Sequence, residues 1–192
     1  MGLKLKVKVG NITNLSDARY CAGMGVDWLG FNVETIDLKT YEDITGWVTG
    51  PSFVLEVNQD TALDLVSKYA ADSVEIPITR LPDLDQIHHA TIFVSLEMKD
   101  WITQRDNLIQ RKNNLSVVIF KSGLGDDHLE NEILQEASLH FDVLMGFPVS
   151  LDRIPDHLRV RVGYHLQGSS EERPGLKDYQ SLADVLESLE VD

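Results

Sequence analysis

The chain has 192 residues, 43% apolar and 25% charged, a composition that suits one globular domain with a full core. Its net charge of −14, from 17 basic and 31 acidic side chains, repels phosphate backbones and anionic lipid, so nucleic acid and membrane surfaces are not expected partners. No apolar run approaches the roughly 20 residues that span a bilayer, and the lone Cys21 excludes an internal disulfide and suits a reducing cytoplasm.

The opening, MGLKLKVKVG, alternates Lys with Leu and Val, which is a strand pattern rather than the unbroken apolar run of a signal peptide. A strand over 5–9 is followed by NLSDARYCAGMG, which places Leu15, Ala18, Cys21 and Ala22 on one helical face. Further β-branched runs follow at 27–33, 52–58, 72–78, 91–97, 115–121, 141–147 and 159–165. Between the third and fourth, TALDLVSKYAA repeats Leu63, Val66 and Ala70 at helical spacing, with Asp60 or Thr61 as a cap. After the seventh, PVSLDRIPDHL is short and proline-interrupted, so a turn or one helical turn is expected. The last segment, LKDYQSLADVLESLE, carries Leu182, Val185, Leu186 and Leu189 on one side.

Eight strands alternating with helical segments imply an α/β fold, a closed (β/α)8 TIM barrel forming a single domain over 1–192. An open doubly wound sheet competes, but no Gly-rich dinucleotide fingerprint is present. In a barrel the strand ends at the C-terminal side carry the chemistry. Lys8, Asn32, Glu56, Asn58, Glu75, Glu97, Lys121 and His165 fall there, and strand alternation points half of them inward. Lys8, Glu75, Lys121 and His165 are the favoured inward group. The histidines show no metal-ligand spacing, so no metal and no cofactor is expected. Trp28, Trp47 and Trp101 are expected to pack between helices and barrel.

Four segments carry a resemblance: KVGNITNLSDARYCAGMGVDWLGF, FVLEVNQDTALDLVSKYAADSVEI, DVLMGF and GYHLQGSSEERPGLKD. In order, they are similar to the opening, the third strand through the fourth, the seventh strand and the closing pattern of the phosphoribosylanthranilate isomerase family. That resemblance implies a barrel enzyme of tryptophan biosynthesis that rearranges an aminoaldose phosphate to an aminoketose. It also implies a cysteine base in K-[IV]-C-G and an aspartate acid closing the sixth strand. Here Gly10 stands at the cysteine, Asn11 at the following glycine and Lys121 at the aspartate. The family's arginine near the second loop has Asp37 or Lys39 at its place, and its Q-L-H-G becomes Glu75, Ile76, Pro77 and Ile78. For the phosphate, the resemblance implies the loops after strands seven and eight, here Gly146, Gly168, Ser169 and Ser170.

The expectation is therefore a diverged barrel that binds a small phosphorylated or anionic metabolite, with the isomerase chemistry lost or altered. The alternatives are an active isomerase using Glu75, Lys121, His165 or Lys8, and a non-catalytic protein-interaction barrel such as a homodimer. A further alternative is a Schiff-base enzyme. The lysine of F-K-S-x-x-G resembles the reactive strand of deoxyribose-phosphate aldolase, which would make Lys121 the amine.

Overall fold

The computed structural model describes residues 2–147, 153–168, 171–173, 176–177 and 180–191. Eight parallel strands close into a barrel in sequential order: β1 (Val7–Gly10), β2 (Trp28–Asn32), β3 (Ser52–Glu56), β4 (Ser73–Pro77), β5 (Thr91–Leu96), β6 (Val117–Phe120), β7 (Asp142–Met145) and β8 (Gly163–Gln167). β1 pairs with β8 to close it, with Lys8 opposite His165 and Gly10 opposite Gln167. The expected (β/α)8 barrel is the fold.

Alternation along each strand sorts the side chains into two cores. Val54, Phe93, Val117, Ile119 and Leu144, with Trp28 against them, form the plug inside the barrel. Trp28 meets Phe93 edge to face at 5.3 Å, so it packs within the barrel rather than under a helix. A larger cluster joins the outer strand faces to the helices, and Trp101 belongs to it, fully buried with its indole N–H donated to Glu136. Trp47 is 70% exposed and packs in neither core.

The helices are α1 (Leu15–Gly23), α2 (Leu38–Trp47), α3 (Leu63–Val66), α4 (Met98–Gln110), α5 (Asp127–Ser138), α6 (Ile154–Val160) and α7 (Gln180–Ser188). α1 starts at Asn14, whose side chain accepts the Asp17 N–H, and it buries Ala18 and Cys21 against the barrel as its periodicity predicts. α7 buries Leu182 and Leu186, and Leu189 just beyond its end is buried too.

Three connections differ from the sequence expectation. α3 is a single turn with no side-chain cap, because Thr61 instead accepts the Asn58 N–H and donates to Glu34. Between β4 and β5 the chain makes 3-10 turns over Ile78–Gln86 in place of an α-helix, with Pro82 inside. Conversely, a seven-residue helix, α6, follows β7. Pro155 lies in its first turn, where its missing N–H costs nothing, and the helix ends at Arg161 with φ 56°. That helix takes up the first residues of the run at 159–165, so β8 begins at Gly163.

Candidate functional site

The inward positions at the C-terminal end of the barrel converge on one polar cluster. Lys8 enters from β1, Glu56 from β3, Glu75 from β4, Lys121 from just beyond β6, and His165 and Gln167 from β8. Lys8 is fully buried, and Glu75 and His165 nearly so. The four favoured residues thus come together.

Lys8 Nζ is the hub. It pairs with Glu56 Oε1 and lies 2.7 Å from Glu75 Oε2. That oxygen makes the ion pair without an aligned hydrogen bond. The other Glu75 oxygen is 2.8 Å from Lys121 Nζ, and Lys121 Nζ is 3.0 Å from His165 Nδ1. Beyond it, His165 Nε2 is 3.1 Å from the Gln167 amide. On the opposite flank Glu56 Oε2 accepts the Asn11 N–H at 3.0 Å. Asn11 has φ 55°, a left-handed conformation that asparagine tolerates where glycine would otherwise serve.

Charge sets the protonation of this chain of groups. Burial would lower the Lys8 ammonium, but Glu56 and Glu75 outweigh it and hold it above the ordinary lysine value. Burial would raise the Glu75 carboxyl, but the Lys8 and Lys121 charges hold it well below the usual carboxylate range. Burial, reinforced by the Lys8 and Lys121 charges against the pull of Glu75, keeps His165 well below the usual histidine range. His165 is therefore a neutral imidazole at pH 7. A lysine ammonium can only donate, so Nδ1 accepts from Lys121 and Nε2 carries the proton. The Gln167 amide nitrogen is the atom placed 3.1 Å from Nε2, so accepting this proton requires the amide oxygen and nitrogen to be exchanged.

Glu56 and Gln167 are the members that the favoured group omits, and Glu56 takes the place of most interest. A Cβ built on Gly10 would lie 2.5 Å from Glu56 Oε1 and 2.7 Å from His165 Nε2. The space beside Gly10 is filled by a carboxylate and an imidazole. Glu56 was legible from parity: Val54 lines the inner plug, and the residue two places on shares its face.

Gly30 on β2 completes the arrangement. It stands between Lys8 and Glu56, and a Cβ there would collide with the Glu56 carboxylate and lie 2.7 Å from Lys8 Nζ. The bare glycine lets a β3 side chain bridge to β1.

The remaining candidates lie elsewhere. Asn32 Oδ1 accepts the Glu34 N–H, Asn58 donates to Glu34 at 2.6 Å, and Glu97 pairs with exposed Lys99, all as rim structure. Asp37 caps α2 through the Thr40 N–H. The Gly146 N–H is donated to Phe120 O and the Gly168 N–H to Gly10 O, each at 2.8 Å. Neither amide is therefore available to an anion. Ser169 and Ser170 lie outside the described residues. Ligand atoms of Glu56, Glu75 and His165 fall within 4.8 Å of one another. Among them the Lys8 ammonium already supplies the cation that two carboxylates require.

No protein-family model matches the chain, and no curated protein matches it. Solved structures do. TrpF from Jonesia denitrificans superposes with a TM-score of 0.65 at 15% identity, covering 96% of each chain. Phosphoribosyl anthranilate isomerase from Thermococcus kodakaraensis gives 0.64 at 13%, again over 96% of each chain. A truncated 3-deoxy-D-arabino-heptulosonate 7-phosphate synthase from Thermotoga maritima gives 0.65 at 12%, over 95% of this chain and 84% of that one. At these identities the likeness establishes the barrel fold. No helix among the described residues is long and apolar enough to cross a membrane.

Proposed function

We propose that this phosphoribosylanthranilate isomerase-like barrel takes a small phosphorylated or other anionic metabolite at its mouth, in a reducing cytoplasm, and has lost isomerisation by a thiol base and a carboxylic acid. One observation carries the reading: the volume beside Gly10 is occupied by Glu56 and His165, each already engaged by its neighbours. Glycine cannot accept a proton, and loss of a positioned base removes a factor of about 10²–10⁴ in rate. Lys121, whose side chain is 36% exposed, is the cation of the cluster that reaches the mouth. With the Gly146 and Gly168 amides spent, an anion would be held by Lys121, the Gln167 amide and the hydroxyls of Ser169 and Ser170. A Schiff base at Lys121 would have to displace both Glu75 and His165 from the amine.

A second reading is favoured by the same carboxylate. Glu56 reaches the position of the missing thiol, and a carboxylate base beside a neutral imidazole that polarises a carbonyl is a working division of labour in sugar-phosphate isomerisation. In that reading Glu56 removes the carbon-bound proton and the His165 Nε2–H supports the developing oxyanion.

One preparation separates these readings. Turnover of phosphoribosylanthranilate is measured beside thermal stabilisation by phosphate and by a product analogue. Stabilisation without turnover supports the first reading. Turnover that falls on Glu56→Gln supports the second. If neither appears, the remaining candidate is a non-catalytic barrel that pairs with another protein or with its own copy.

A further inference from the structure

Outside the barrel, between the outer face of β3 and β4 and the connections that follow them, lies a cavity of about 250 Å³. It exists because α3 is one turn long and the next connection is built from 3-10 turns, so two helices that would normally cover this part of the sheet are cut short. Its wall is Val57, Leu63, Val66, Val74, Ile76 and Ile87, with exposed Ser67, Gln86 and His88 where polar groups meet it. His89 completes the lining, and its Nδ1 is buried with no hydrogen-bond partner. Among the described residues, no lysine, arginine or carboxylate lines the cavity.

We infer that this cavity is a binding site for a small neutral aromatic molecule bearing one hydroxyl, whose ring fills the aliphatic wall and whose hydroxyl satisfies His89 Nδ1. The size supports a ring, since aliphatic cavities of about 150 Å³ already take benzene. The orphaned nitrogen supports a single polar group, because an unpaired buried donor or acceptor gains most from a partner. A hydroxyl serves whichever tautomer His89 holds, as it both donates and accepts. Burial, with His88 adding to it against Asp72, keeps His89 below the usual histidine range, so a neutral ligand meets a neutral ring. This site is independent of the mouth and of its chemistry.

The test uses p-cresol and toluene as probes on the full chain, followed by methyl NMR. Both are expected to shift Val66, Val74 and Ile76 resonances, with p-cresol about tenfold tighter through its hydroxyl. His89→Phe should remove that preference while leaving toluene binding in place, and Val66→Phe should abolish binding of both. If His89→Phe fails to fold, the preference of the native chain for p-cresol over toluene decides the matter. Absence of binding at millimolar probe, equal affinity for the two probes, or shifts confined to the barrel mouth would each overturn the assignment.

Discussion

Glu56 on β3 pairs with Lys8 on β1 across the bare backbone of Gly30 on the strand between them. A contact between side chains two strands apart requires that the middle strand offer no side chain at that level. The mouth therefore depends on a glycine that takes no part in its chemistry.

Gly30→Ala tests that dependence through its sign. In a strand interior, alanine ordinarily stabilises by roughly 0.5–1 kcal/mol over glycine. Here the methyl would push the Glu56 carboxylate off Lys8, and we expect a loss of about 1–3 kcal/mol in urea unfolding, the scale of overpacking. A neutral or stabilising outcome would show that Glu56 can leave without consequence.

Lys8 is fully buried between two carboxylates. Lys8→Met should cost about 3–5 kcal/mol, because it leaves uncompensated buried charge rather than because the pair itself is worth so much. The double variant Lys8→Met/Glu56→Leu retains the Glu75–Lys121 pair and should recover most of that loss. A loss in the double variant equal to the sum of the losses in Lys8→Met and Glu56→Leu alone would contradict the coupling.

The pH dependence follows from the directions of the shifts. His165 is held low in the folded state, so its contribution is full above the unfolded value near 6.5 and is lost as pH falls below it. Glu75 is also held low, and its contribution is lost on the acid side of the unfolded value near 4.3. Lys8 is raised, so its contribution is intact below the unfolded value near 10.4 and is lost as pH rises beyond it. Stability measured by denaturant unfolding should form a plateau between about pH 7 and 10 and fall below it, each fully shifted group adding up to about 1.4 kcal/mol per pH unit. His165→Gln should reduce the slope between about pH 7 and 5. An unchanged slope would mean that His165 is charged in the folded state.

Lys121 lies at the rim of the cluster, so its replacement should weaken ligand binding more than folding. Lys121→Met is expected to abolish any rise in melting temperature that phosphate gives the native chain. A shift that survives the substitution would place the anion elsewhere.

The strands were legible because each is a short β-branched run, and parity along them brings Lys8, Glu75, Lys121 and His165 to one end. Glu56 obeyed the same parity, but nothing in its own strand shows that two glycines on β1 and β2 clear a path for it. That is a relation between three strands, visible only once their register is known. The short connections were harder. Leu63, Val66 and Ala70 have helical spacing, yet Thr61 is engaged with Asn58 and Glu34, and the helix stops after one turn. Pro155 reads locally as a breaker and acts instead as a helix start.

The claim that the proposed function rests on is that the space beside Gly10, filled by Glu56 and His165, does not support isomerisation of a sugar phosphate. Steady-state turnover of phosphoribosylanthranilate by the purified chain tests it most directly. The account predicts a rate more than about 10³-fold below the roughly 1–10³ s⁻¹ of ordinary enzymes. A kcat within that ordinary range, abolished by Glu56→Gln, would contradict it.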